Sequence, residues 1–177
     1  GTMINVFWDP SAELSGCWEI ATRNSVGGEV SFFKSKEAKT FRTMFMEAAN
    51  AVNLDINNLN RNYCYSFVLQ HPENRIVVPF KTVKLYLTNV YEICNTENGT
   101  VNVSCVNMEA IKNNEFMKAA TILYPEIYTE WNVYDDLKSK YASMNTYYSI
   151  LGVVIYNTRT GERTKIRKPT YENVRNL

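Results

Sequence analysis

The run Tyr63-Cys64-Tyr65-Ser66-Phe67-Val68-Leu69-Gln70, followed by His71-Pro72-Glu73-Asn74 and then Arg75-Ile76-Val77-Val78, decides the fold. Aromatic and apolar residues dominate the first part, and turn formers interrupt it before a second apolar run begins. The pattern predicts a long strand over 63–70, a tight turn and another strand. Side chains alternate across a strand, so Cys64, Ser66, Val68 and Gln70 share one face. Pro72 and Asn74 are ordinary turn residues, and the lone histidine, His71, reads as a turn or surface residue rather than a ligand. Arg75 opens the second run, where it either meets a phosphate or pairs with Glu73.

Upstream, Met3 to Trp8 reads as a strand, Asp9 to Gly16 as a turn-rich connector, and Cys17 to Thr22 as the return strand of a hairpin. A loop follows at Arg23-Asn24-Ser25-Val26-Gly27-Gly28, whose glycine pair permits close approach by a ligand. Phe41, Phe45, Ala48 and Val52 recur at helical steps, which predicts a helix from Glu37 to Val52 capped by Ser35. Downstream, a strand is expected over Val83 to Ile93, a turn at Thr96 to Gly99 and a partner strand over Val101 to Val106. Helical stretches are expected at 108–120 and 133–142. A final strand, turn and strand occupy 150–156, 157–161 and 162–167. No βαβ rhythm is present, so the expected class is α+β, with mainly antiparallel sheets flanked by helices.

The chain has 177 residues, which fits one domain spanning 1–177. With 45% apolar and 21% charged residues it can form a folded core. Nineteen basic and 18 acidic residues leave a net charge of +1, so any polyanion must be met by a local basic cluster. No apolar run approaches the ~20 residues of a membrane span, and no secretory signal is visible. Cysteines 17, 64, 94 and 105 form no C-x-x-C pair, which argues against zinc. They read as reduced thiols of a cytoplasmic protein.

The sharpest local signal is Arg163-Thr164-Lys165-Ile166-Arg167. On a strand, Arg163, Lys165 and Arg167 fall on one side, with Thr164 and Ile166 on the other. Such cations repel one another unless anions meet them. Phosphate groups are one solution, and a solvated basic edge that discourages aggregation is the other.

Taken in order, these segments resemble the ATP-dependent RNA ligases of the phage and large-DNA-virus type, within the lysine-adenylating nucleotidyltransferases. Gly1-Thr2-Met3-Ile4-Asn5-Val6-Phe7 looks like the end of that family's Lys-x-Asp-Gly-[Ser/Thr] motif. Thr22-Arg23-Asn24-Ser25 stands at its [Lys/Arg]-Gly-Ser loop, with Asn at the Gly position. Pro72-Glu73-Asn74-Arg75-Ile76-Val77 is the most specific match, followed by Val83-Lys84-Leu85-Tyr86-Leu87-Thr88-Asn89-Val90. Gly152-Val153-Val154-Ile155 and Lys165-Ile166-Arg167 stand at the family's last strand and its Lys-Ile-Lys motif.

The resemblance implies a nucleotidyltransferase (ATP-grasp-like) ligase core that uses ATP, forms a lysyl-AMP and joins RNA or other nucleic acid with 5′-phosphate and 3′-hydroxyl ends. It implies catalytic roles for Lys165 and Arg167 at the α-phosphate. It implies nucleotide contacts from Arg23, Ser25, Ser66, Gln70, Arg75 and Gly152, and a magnesium ion bridging phosphate oxygens. The nucleophilic lysine belongs three residues before Gly1, so a fragment is expected, inactive in self-adenylation as it stands. The chain departs from the family where Val68 and Leu151 stand at glutamate positions. Leucine cannot ligate magnesium, so no residue is assigned to metal. Three readings follow. One is an adenylyltransferase, the second a catalytically degenerate relative that binds only nucleotide or RNA, and the third an unrelated α+β domain with chance matches.

Overall fold

The computed structural model describes residues 1–22, 25–26, 40–74, 80–127, 138–139, 152–157, 159, 162–167 and 169. The chain forms two compact units. One comprises Gly1–Arg75 with Phe80–Pro125, and the other Ile76–Pro79 with Glu126–Leu177.

The first unit is built on an antiparallel sheet of six strands. They are β1 (Thr2–Asp9), β2 (Cys17–Thr22), β3 (Ser25–Val26), β4 (Tyr63–Gln70), β5 (Lys84–Asn95) and β6 (Val101–Cys105), in the order β3-β2-β1-β4-β5-β6. The expected hairpin is present as β1 and β2, with Val6 opposite Ile20 and Trp8 opposite Trp18. Its connector is tight at Gly16, where φ is +84° and a Cβ would lie 2.8 Å from the Trp8 ring and 2.9 Å from the Asp9 carbonyl oxygen. Only glycine fits both demands.

Strand β4 occupies the predicted residues and inserts beside β1, placing Ile4 against Phe67. Its register with β5 shifts between Ser66 and Phe67: Ser66 meets Asn89, Phe67 meets Leu87, and Thr88 is the extra residue. The Thr88 hydroxyl donates to the Ser66 carbonyl at 3.0 Å. Because of this bulge Leu85, Leu87 and Val90 all reach the same core, although an unbroken alternation would turn Val90 away.

One helix, α1 (Phe41–Ala51), covers one face of the sheet. Phe41, Phe45, Ala48 and Val52 are buried, as their spacing predicts, and the Phe45 ring sits 5.5 Å from that of Phe67. The helix start departs from expectation. The cap of this helix is Thr40, whose hydroxyl accepts the Thr43 N–H at 3.2 Å, while Ser35 and residues 37–39 lie outside the described residues. The core is completed by Ile4, Val6, Trp18, Ile20, Tyr65 and Leu69 from the sheet and by Leu54 and Leu59 beyond the helix. Arg61 closes one end by lying 3.8 Å over the Trp8 ring.

The single helical stretch expected at 108–120 is two short helices, α2 (Met108–Lys112) and α3 (Glu115–Ala119). Asn114 divides them because its side chain accepts the Phe116 N–H at 3.0 Å and so starts a new helix. Beyond them, Leu123 bridges in parallel to Tyr86 and continues the sheet where β6 does not reach.

In the second unit, β7 (Gly152–Tyr156) and β8 (Arg163–Arg167) form the expected terminal hairpin, closed by the Asn157 N–H on the Glu162 carbonyl at 2.8 Å. The strand expected at 75–78 and the helix expected at 133–142 lie outside the described residues, except for Lys138 and Ser139. All four cysteines are free thiols. Among the described residues no helix is long and apolar enough to cross a membrane.

Candidate functional site

The sheet face turned away from α1 carries Met3, Asn5 and Phe7 of β1, Cys64, Ser66, Val68 and Gln70 of β4, and Tyr86 and Asn89 of β5. The shared face expected for β4 is therefore present. At its centre Ser66 is buried and donates its hydroxyl to Asn5 Oδ1 at 2.6 Å. With its one proton committed, Ser66 keeps only acceptor capacity. Asn5 is the partner that sequence reasoning missed. Its signal is a lone amide between Ile4 and Val6, which occupy the opposite face.

Val68 lies between Met3 and Tyr86, and it is apolar and half-buried where the resemblance places a carboxylate. Gln70 ends the strand opposite Lys84. Nearby, β1 begins very close to β4. A Cβ on Gly1 would stand 2.6 Å from Val68 Cγ1 and 2.9 Å from the Leu69 carbonyl oxygen, which only glycine avoids without a shift.

The turn after β4 is more built than its residue types suggest. His71 is in the turn, as expected, but it is 4% exposed and not a surface residue. Its Nδ1 accepts the Glu73 N–H at 3.1 Å, which leaves the proton on Nε2, 2.8 Å from Glu47 Oε2 on α1. Asn74 is 3% exposed, and its amide donates to Thr2 Oγ1 at 2.6 Å. Its Oδ1 is buried with no partner among the described residues. The turn is thus fixed to the helix on one side and to the start of β1 on the other. Neither Glu47 nor Thr2 announces this role in the sequence, because each pairing spans a long stretch of chain.

Ser25 lies in β3, opposite Thr22, rather than in a loop. Arg23 and Arg75 fall outside the described residues.

The second unit carries Lys165, Arg167 and Gly152. Register places Gly152 opposite Arg167, Val154 opposite Lys165, and Tyr156 opposite Arg163. Directly opposed residues point to the same side, so the hairpin has one basic face, as its alternation predicts. Ile166 is buried on the reverse side, while Arg163 and Lys165 are exposed. Among the described residues no carboxylate pairs with Arg163 or Lys165.

No protein-family model matches the chain. It is similar to an RNA ligase of Rhodothermus phage RM378, with 24% identity over an alignment of 197 residues. That alignment covers 97% of this chain and 43% of the phage protein. The similarity is thus to an RNA ligase, at a distance, and the chain spans less than half of its relative's length.

Proposed function

We propose that this chain is an RNA ligase-like adenylyltransferase domain that serves ATP-dependent joining of nucleic-acid strands. The observation that carries the reading is the similarity to a phage RNA ligase along nearly the whole chain. The basic face of β8 supports it, since phosphoryl transfer is catalysed mainly by positioning and charge neutralisation.

In the proposed reaction a lysine amine attacks the α-phosphorus of ATP. A P–N bond forms, the bond to pyrophosphate breaks, and pyrophosphate leaves. A 5′-phosphate oxygen then attacks the same phosphorus and frees the lysine. Finally a 3′-hydroxyl attacks the adenylated 5′-phosphate and AMP departs. The nucleophile is assigned to a position before Gly1. Lys165 and Arg167 would offset the charge building on the α-phosphate oxygens and the departing pyrophosphate. Arg23 and Arg75 are assigned to phosphates, Ser25, Ser66 and Gln70 to nucleotide hydroxyls, and Gly152 to clearance beside Arg167.

Magnesium does not fit as a ligand-held ion at Val68, which offers no oxygen. No step is assigned to a metal held there, and ATP is taken as arriving with its own magnesium. The same residue favours a second reading, a domain that retains nucleotide or RNA binding without catalysis.

The natural protein containing this chain, incubated with magnesium and ATP labelled at the α-phosphate, is expected to become covalently labelled. Lys165→Ala and Arg167→Ala should each reduce the labelling rate by roughly a hundredfold or more. Retained ATP binding without any adduct selects the second reading. ATP binding unaffected by the double variant would sink the phosphate assignment of β8.

A further inference from the structure

We propose that the protein self-associates by antiparallel pairing of β6 with β6 of a second copy, extending the six-stranded sheet across a two-fold axis. Among the described residues β6 is the terminal strand of that sheet, and all five of its residues are exposed. It joins the end of β5 in a ribbon with Ile93 opposite Val103, Asn95 opposite Val101 and Tyr91 opposite Cys105. Ile93 is 43% exposed, Val101 58% and Val103 62%, which makes an uncovered apolar stripe on one side of the ribbon.

The hydrogen-bond phase of the ribbon shows what its outer edge offers. The Thr96 N–H bonds the Thr100 carbonyl, and the Val106 N–H bonds the Val90 carbonyl. In an antiparallel ladder inward-bonding residues alternate with outward-facing ones. Thr100, Asn102, Ser104 and Val106 therefore bond toward β5. Val101, Val103 and Cys105 turn both backbone groups to the open edge.

A second β6 fits this edge with no adjustment. Centred on Val103, it sets Val103 against its own copy and Val101 against Cys105 of the partner, each pair exchanging both hydrogen bonds. The apolar stripes then run together on one face. Val101-Asn102-Val103-Ser104-Cys105 contains no charge, so the two-fold creates no like-charge contact within the strand. It also contains no lysine, proline or bulge, the devices by which edge strands avoid pairing. One short strand covers less than the ~1,200 Å² of a stable interface, so the dimer should be weak and concentration-dependent.

Sedimentation velocity on the purified protein between about 1 µM and about 1 mM should show the mass rising toward twice the monomer. Val103→Lys should weaken this at least about tenfold while circular dichroism stays unchanged. In a Cys94→Ser, Cys105→Ser background, Val103→Cys should cross-link spontaneously under air. Val101→Cys in that background should not, because its copies would stand about 13 Å apart. Monomer at every concentration overturns the proposal. So does a dimer indifferent to Val103→Lys, or one cross-linked through position 101 rather than 103.

Discussion

At the scale of single residues, His71 separates what a sequence conveys from what it hides. Beside Pro72 it has the look of an exposed turn residue, and its burial depends on Glu47, which arrives from a helix earlier in the chain. Replacing it with alanine removes both ring hydrogen bonds and should cost about 1–3 kcal/mol, measured as a lower urea midpoint with an unchanged slope. Ser66 is similar. Its face was legible from alternation, but its commitment to Asn5 was not, because strands β1 and β4 meet only in the folded sheet. Cys17 gives a further prediction. Its thiol donates to Glu19 Oε1 at 3.3 Å, and this bond pushes its pKa up, aided by desolvation and by the charges of Glu19, Glu13 and Asp9. Less thiolate is then present at a given pH. Glu19→Gln should move the pH profile of Cys17 alkylation downward and speed modification near neutrality, as followed by mass spectrometry.

At the scale of elements, strands were read more surely than helix ends. Alternation and turn residues located β4, β5 and the β7–β8 hairpin nearly residue by residue, since each signal lies within a few positions. The start of α1 was missed because several polar residues before Phe41 could each serve as a cap, and only the Thr40–Thr43 geometry distinguishes them. Thr40→Ala should therefore destabilise the protein by about 1 kcal/mol, measured in thermal melts. The break between α2 and α3 was missed for a related reason. Helical periodicity tolerates an asparagine pair, but Asn114 uses its side chain to begin a new helix.

At the scale of the molecule, the near-balance of charge matters most. With a net charge of +1 there is little global field to draw in a polyanion, so on the proposed RNA-joining reading any affinity for RNA would come from local groups such as the basic face of β8. Replacing Arg163 and Lys165 with glutamine should make the plot of log affinity against log salt shallower by roughly 1.4 for single-stranded RNA. An unchanged slope, titrated by fluorescence anisotropy, would remove β8 from the interface. The neighbouring pairs β1–β2 and β5–β6 were legible as hairpins, but the insertion of β4 beside β1 was not, because it joins distant segments. The extra residue in β5 has a consequence of its own. Upstream of Thr88 the strand counts odd numbers inward, at Leu85 and Leu87, and downstream it counts even, at Val90. Thr88 thus acts as a half-step in the weave. Deleting that one residue would restore a plain ladder with Leu85, Leu87 and Val90 still inward, whereas deleting Tyr86 from the regular stretch before it would swing Lys84 into the oily interior and Leu85 out of it, and a deletion in the exposed loop at 96–99 would merely shorten a rim.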